Sequence, residues 1–193
     1  MTEAAVLALF RESGALLEGH FILSSGLHSP VYLQCARVLM DPVRAGRLAA
    51  ALAARIPEAV RAEATAVIAP AMGGIVIGHE LARALGTLAM FVERPAGTFE
   101  LRRGFRLEAD APVLLCEDVV TTGLSSREAI AAITAAGGRV IHAAALVDRS
   151  DGAADLGVPF TPLIRIAAPA YPADALPPEL AALPAVKPGS RAA

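Results

Sequence analysis

Apolar positions at helical spacing open the chain. Val6, Leu7, Leu9 and Phe10 share one face, with Thr2 as an N-cap before them and Gly14 as a stop after them, which predicts an N-terminal helix. Ala15 to Leu23 is apolar and extended, and it feeds a polar loop, SSGLHSP, from Ser24 to Pro30 around Gly26. Asp41 and Pro42 open a second helix, the aspartate as cap and the proline in the first turn, which runs through Leu48 and Leu52 to about Arg55.

From there the pattern alternates between short apolar runs and helical stretches, as in a parallel sheet with crossover helices. Ala66 to Ala69 reads as a strand, Ile75 to Leu85 as a helix stopped by Gly86, and Leu88 to Val92 as the next strand. Glu93 to Arg106 interrupts the alternation with Pro95, Gly97, Gly104 and four arginines, and predicts a long mobile loop or loose hairpin. Val113 to Cys116 has no polar residue, as expected of a strand covered on both faces. A loop and a helix from about Ser126 to Ala136 follow, ended by Gly137 and Gly138, and Arg139 to Val147 supplies another strand. The proline-rich tail from Pro159 predicts a short strand and then irregular covering chain, with the last ten residues frayed. No internal repeat is present.

Composition narrows the class. A chain of 193 residues with 55% apolar and 19% charged residues folds, because disorder requires low hydrophobicity and high net charge. At roughly 100 to 200 residues per domain it forms a single α/β domain. A net charge of −2 argues against binding a nucleic-acid backbone, so any cationic site must be local. Lys187 is the only lysine; every other side-chain ammonium or guanidinium charge is an arginine, a planar fork suited to phosphate and carboxylate. Cys35 and Cys116 lie far apart without zinc-ligand spacing, as in reduced thiols. The acidic N-terminus lacks a signal-peptide pattern, and the longest uncharged run, Ala64 to His79, is shorter than the roughly 20 residues of a membrane span. A soluble, cytoplasmic protein with no membrane or nucleic-acid partner is expected.

The stretch VLLCEDVVTTGLSS, Val113 to Ser126, carries the most chemistry. An apolar strand runs into Glu117 and Asp118, which should sit just beyond its carboxyl end, where open α/β sheets bind ligands. The loop Thr121 to Ser125 then offers backbone N–H groups at a helix N-terminus, with Gly123 permitting an unusual turn and Thr121, Thr122, Ser125 and Ser126 adding hydroxyls. That is a cradle for a phosphate monoester. Carboxylates beside it suit a sugar phosphate, whose hydroxyls they accept from, and can join a Mg²⁺ shell. An N-capping loop with solvated acids is the plainer alternative for such a pair, and it loses weight beside the cradle.

This segment closely resembles the phosphoribosyl diphosphate (PRPP) signature of the type I phosphoribosyltransferases, with Leu124 where that family usually has a small residue. Gly19 to Cys35 resembles the base-binding segment of the orotate phosphoribosyltransferases, Phe91 to Phe105 their catalytic loop, and Val147 to Arg149 the position where their arginine meets the carboxylated pyrimidine. With Pro70 to Gly74, these motifs keep family order over about residues 15 to 150.

The resemblance implies a type I phosphoribosyltransferase fold: a mostly parallel central sheet flanked by helices, with residues 1–40 as a small N-terminal hood and 160–193 as a covering segment. It implies transfer of phosphoribosyl from PRPP to orotate, giving orotidine 5′-phosphate and pyrophosphate with Mg²⁺, in pyrimidine biosynthesis. Arg94, Arg102, Arg103 and Asp118 would be catalytic, the arginines on a lid. PRPP would be held by Gly73, Gly74, Glu117, Asp118, Val119, Val120, Thr121, Thr122, Gly123, Leu124 and Ser125. Orotate would meet Ser24, Ser25, Gly26, His28, Tyr32, Thr121 and Arg149, and Mg²⁺ would meet Glu117 and Asp118 mostly through substrate and water. Family members are typically homodimers whose lid reaches the neighbouring site. Many carry a lysine where this chain has Ser24 and another where it has Gly73, so the arginine loop must supply most of the side-chain positive charge.

Plainer readings stand beside these. Arg149 suits a surface ion pair with Asp148 or Asp151, Tyr32 a core position, the arginine loop a solvated charged face, and the Gly73–Gly74 pair close helix–sheet packing. His20, His79 and His142 show no visible partners. A PRPP-sensing regulator of the same fold, or a phosphoribosyltransferase for another base, is the alternative function.

Overall fold

The apolar runs of the middle of the chain become one sheet because each is followed by a helix that carries the chain back over a face. In the computed structural model, which describes residues 1–23 and 25–188, β3 (Ala66–Pro70), β4 (Leu88–Glu93), β6 (Ala111–Val120), β7 (Gly138–Asp148) and β8 (Phe160–Arg165) are parallel. The short β5 (Glu100–Leu101) closes the edge antiparallel to β4, so the arginine-rich insert is a loose hairpin. The strand order is β5-β4-β3-β6-β7-β8. From β3 the chain moves first to β4 on one side and then to β6 on the other. The crevice beyond the carboxyl ends of β3 and β6 is therefore the topological switch point.

Helices cover both faces. α3 (Pro42–Ala53) and α5 (Gly74–Leu85) bury Leu48, Leu52, Ile77 and Leu81 in a cluster with Leu114 and Cys116 of β6. α6 (Leu124–Ala135) buries Ala129 and Ile133 with Val113 and Leu115, which point the other way from the same strand. Alternate residues of β6 thus feed opposite cores, which is why its sequence is continuously apolar. Asp41 starts α3 by accepting the Val43 and Arg44 amides at 2.9 and 3.2 Å. Gly86 ends α5 in the left-handed region, with φ 71°.

The N-terminal hood is built on α1 (Glu3–Glu12), capped by Thr2, and on the hairpin of β1 (Leu16–Ile22) and β2 (His28–Leu33). Val6, Phe10 and Leu16 lie in the same buried cluster as Leu146 and Leu163, so hood and main sheet share one core. The polar cluster expected as a loop from Ser24 to Pro30 is shared between turn and strand: Ser29 pairs with Phe21 in β2 and is fully buried, its hydroxyl accepting the Val31 amide at 3.3 Å. Ser24 lies outside the described residues.

Three short elements were not legible in the sequence. α2 (Cys35–Leu39) and α4 (Glu58–Glu63) lack side-chain caps, and α7 (Pro178–Ala181) sits among prolines. The tail also differs from an irregular cover. β9 (Ala185–Val186) adds to β1 in parallel, giving the hood the order β2-β1-β9, so part of the last ten residues satisfies the open edge of β1 instead of fraying. The remainder of that stretch, 189–193, lies outside the described residues.

Candidate active site

The switch-point crevice is lined by the turns after β3 and β6. β6 extends to Val120, so Glu117 and Asp118 lie within its last turn-ward residues and not beyond its end, Glu117 being level with Ala145 of β7. The strand persists because β7 continues beside it and offers backbone partners. Val119 packs toward the core, Val120 is buried, and the Val120 carbonyl accepts the Arg149 amide at 2.8 Å; backbone is what these two valines offer the crevice.

Glu117 is buried and accepts a hydrogen bond from the Ser126 hydroxyl at 3.1 Å. Desolvation first, and the charge of Asp118 second, push its carboxyl up to about 8, against the Ser126 hydrogen bond and the positive charge of Arg94. Burial raises Asp118 too, opposed by backbone hydrogen bonds from Val119 and its own amide. Burial thus disfavours the ionised form of two adjacent carboxyls. Ser126, read from sequence as a phosphate donor, spends its hydroxyl on Glu117.

The turn after β3 splits the two glycines by role. A Cβ on Gly74 would come 3.0 Å from the Cys116 carbonyl oxygen and 3.3 Å from the Ala69 Cβ, so Gly74 serves close helix–sheet packing. A Cβ on Gly73 would come 2.6 Å from Oδ2 of Asp118, so Gly73 faces the carboxylate. After β6, Thr121, Thr122 and Gly123 form the bend and α6 begins at Leu124, two residues earlier than its sequence suggests. Gly123 adopts φ 75°, the left-handed conformation the cradle requires. Leu124 and Ser125 are exposed on the first turn, and the Leu124 side chain is directed to solvent.

Arg149 follows β7. Its Nε is buried without a hydrogen-bond partner among the described residues, Nη2 reaches the Ala168 carbonyl only at 3.5 Å, and burial lowers its pKa. The plainer alternative, an ion pair of Arg149 with Asp148 or Asp151, does not form among the described residues. Asp148, wholly buried, accepts the Ser150 amide at 2.8 Å, the Ser150 hydroxyl at 2.6 Å and the Gly152 amide at 3.0 Å, and pairs with Arg165 at 3.3 Å. Arg149, Thr121, Thr122, Ser150, Ala153, Ala154 and Ala168 line a cavity of about 370 Å³. A buried, underbonded guanidinium opening on such a cavity is matched to a carboxylate or phosphate.

Three arginines of the hairpin, Arg94, Arg102 and Arg103, are engaged by carboxylates. Arg94 pairs with Glu128 on α6 and lies 4.0 Å over the Phe99 ring. Arg103 holds Glu93 through two bonds of 2.9 Å, and Arg102 reaches Glu93 at 3.5 Å. Arg94 is therefore docked beside the cradle, whereas Arg102 and Arg103 gather at the root of the hairpin.

Of the hood residues assigned to the base, Ser25, Gly26, His28 and Tyr32 do not line the Arg149 cavity, and Ser24 lies outside the described residues. Ser25 and Gly26 form the exposed β1–β2 turn, Gly26 at φ 83°. Tyr32 packs on Phe21 with ring centroids 5.7 Å apart and is half-buried, outside both core clusters. The His28 Nδ1 lies 2.6 Å from His20 Nε2, and His20 Nδ1 donates to the Leu183 carbonyl at 2.9 Å, so both histidines tie the hood to the tail. His142, likewise unpartnered on paper, meets the Thr161 hydroxyl at 2.8 Å. Arg127, Glu128 and Asp148 escaped sequence reading as site residues because their partners come from other elements.

The phosphoribosyl transferase domain model matches residues 43–157. The orotate phosphoribosyltransferase of Rhizorhabdus wittichii is 69% identical over 193 residues, covering 100% of this chain and 98% of its own. That of Novosphingobium aromaticivorans is 69% identical over 192 residues, covering 100% and 99%. The crystal structure of orotate phosphoribosyltransferase from Aeropyrum pernix superposes with a TM-score of 0.73 at 28% identity, over 83% of this chain and 93% of that one. The chain belongs to the orotate phosphoribosyltransferase family of phosphoribosyl transferase domains.

Proposed function

We propose that this protein transfers the phosphoribosyl group of PRPP to orotate, giving orotidine 5′-phosphate and pyrophosphate, a step of pyrimidine biosynthesis. The observation that carries this reading is one cavity bounded by both the Thr121–Thr122 bend and the underbonded Arg149 guanidinium. The α6 amides and the hydroxyls of Thr121, Thr122 and Ser125 take the 5′-phosphate. Glu117 and Asp118 accept from the ribose hydroxyls, the Gly73–Gly74 turn receives the pyrophosphate, and Arg149 takes the orotate carboxylate. Thr121 lies where base and sugar meet.

In the reaction the C1–O bond breaks with its electron pair leaving on pyrophosphate, and orotate N1 bonds to C1 while its N1–H proton passes to solvent or the departing pyrophosphate. Arg94, Arg102 and Arg103 exchange their carboxylate partners for the leaving group, where their charge acts more strongly in the transition state than in the ground state. Closure of the hairpin also keeps water from C1.

Mg²⁺ fits the donor set, since Glu117 and Asp118 present hard oxygens whose ionised forms are disfavoured without a cation. Among the described residues no group of three or more His, Cys, Asp or Glu side chains gathers to cage a metal, so the two acids would share the ion with substrate oxygens and water. When bound, it offsets charge on the pyrophosphate.

The same reading makes the protein a cytoplasmic homodimer, with the exposed Met40, Val43, Met72 and Val76 offering apolar area to a second copy. Among the described residues no helix is long and apolar enough to cross a membrane.

The test mixes purified protein with PRPP, Mg²⁺ and orotate and follows the loss of orotate absorbance, with uracil, adenine and hypoxanthine as comparison bases. Turnover confined to orotate is expected. Turnover with another base would overturn the substrate, and none with any base would favour a PRPP sensor.

A further inference from the structure

Arg127 stands in the second turn-forming position of α6, immediately after the cradle, and its guanidinium joins two loops that share no strand pairing. Nη1 donates to the Thr122 carbonyl at 3.2 Å and to the Asp155 carbonyl at 2.7 Å. The first carbonyl belongs to the bend that lines one wall of the cavity. The second follows directly on Ala153 and Ala154, which line the same cavity from another loop. At its root the cavity is tied by the Arg149 amide on the Val120 carbonyl, at 2.8 Å. At its rim, the tie is Arg127.

The packing around Gly123 reinforces this. A Cβ there would come 2.6 Å from Leu156 Cδ2 and 3.0 Å from Arg127 Nη1, so the guanidinium and Leu156 close together over the bare glycine. Leu156 is buried, which anchors the far loop in the core cluster beneath α6. The Asp155 carboxylate is turned to its own loop, accepting the Gly157 amide at 2.9 Å. Both hydrogen-bond partners of the Arg127 guanidinium among the described residues are therefore neutral carbonyls, and the group acts by geometry.

We propose that Arg127 is a positioning residue, a strut that sets the separation between the Thr121–Gly123 bend and the 153–157 loop and so holds the cavity at its working width. Its consequence for substrate rests on the proposed function, because the strut would fix the phosphate cradle relative to Arg149.

The test compares wild type, Arg127→Ala and Arg127→Lys. Hydrogen exchange on ligand-free protein should be faster by about tenfold in Arg127→Ala at amides of 121–124 and 153–157, with the sheet unchanged, as expected when local opening is eased. In the assay the KM for PRPP should rise about tenfold while kcat changes less than about threefold, since a misplaced cradle weakens binding before chemistry. Lysine, reaching one carbonyl, should restore part of both effects. Unchanged exchange in Arg127→Ala, or faster exchange with wild-type KM values for both substrates, would overturn the proposal. If the wild type itself showed no turnover, the proposed activity would fall, and the exchange difference would still decide the strut.

Discussion

The carboxylate of Asp118 occupies the space that a side chain at position 73 would need: a Cβ on Gly73 would fall 2.6 Å from Oδ2 and 2.9 Å from Cγ. The glycine has ordinary helical angles, φ −58° and ψ −41°, so its backbone does not demand glycine; Asp118 does. The lysine that many family members carry in this turn could enter only if the acid turned away.

Gly73→Ala should therefore displace Asp118 while leaving the helix intact. Overpacking of this kind costs about 1–3 kcal/mol, a fall of several degrees in thermal midpoint, and here it displaces an acid proposed to bind PRPP, so kcat/KM for PRPP should also drop about tenfold. Steady-state kinetics beside a melting curve separates the two; a drop in midpoint without loss of activity would contradict the assignment.

Glu117 links the site to pH. Its folded value, about 8, lies above the ordinary 4.5, so between those limits the folded state binds more protons than the unfolded chain and stability falls as pH rises. Glu117→Gln, which cannot ionise and can still accept from Ser126, should not show that fall. Ligand-free melting curves across this interval should diverge as pH increases, the variant being the more stable above pH 8, while its turnover is reduced.

Arg149→Ala should raise the KM for orotate. Hydrogen bonds to charged groups contribute about 1.5–3 kcal/mol, corresponding to roughly 10- to 100-fold. Arg149→Lys should recover only part, because a point charge does not match the carboxylate fork. Since the Nε is buried without a partner among the described residues, the alanine variant should melt no lower than wild type. An unchanged orotate KM would remove Arg149 from the base site.

Arg103→Ala breaks an exposed pair with Glu93, and such solvent-screened pairs contribute little to stability. The fold should be unaffected. Loss of a donor aimed at developing charge should lower kcat by about a hundredfold. Wild-type kcat would leave Arg103 as a hairpin brace.

His142 provides a second, opposite pH dependence away from the site. It is buried against Thr161, and desolvation lowers its pKa below the ordinary 6.5. Its contribution is present above 6.5 and is lost as pH falls through the lower folded value. His142→Asn should flatten that acid-side part of the stability profile measured by denaturant melts.

Amino-acid order alone determined the features that act over a few residues. Thr2, Asp41 and Gly86 mark helix ends because capping is local, and the apolar run from Val113 with Glu117, Asp118 and the threonine–glycine bend supplies the strand, acids and turn of the proposed phosphate site because its parts are contiguous. The tertiary structure decided what depends on distant partners. It paired Asp148 with Arg165, leaving Arg149 to face the cavity; set Asp118 over Gly73; gave Ser126 to Glu117; and joined His20 to a carbonyl 163 residues away. β9, only two residues long, has no local reason to be a strand and exists because β1 offers an open edge. Local propensities settle which elements form, whereas the partners of buried charges and short edge strands are chosen only once packing has fixed which neighbours remain.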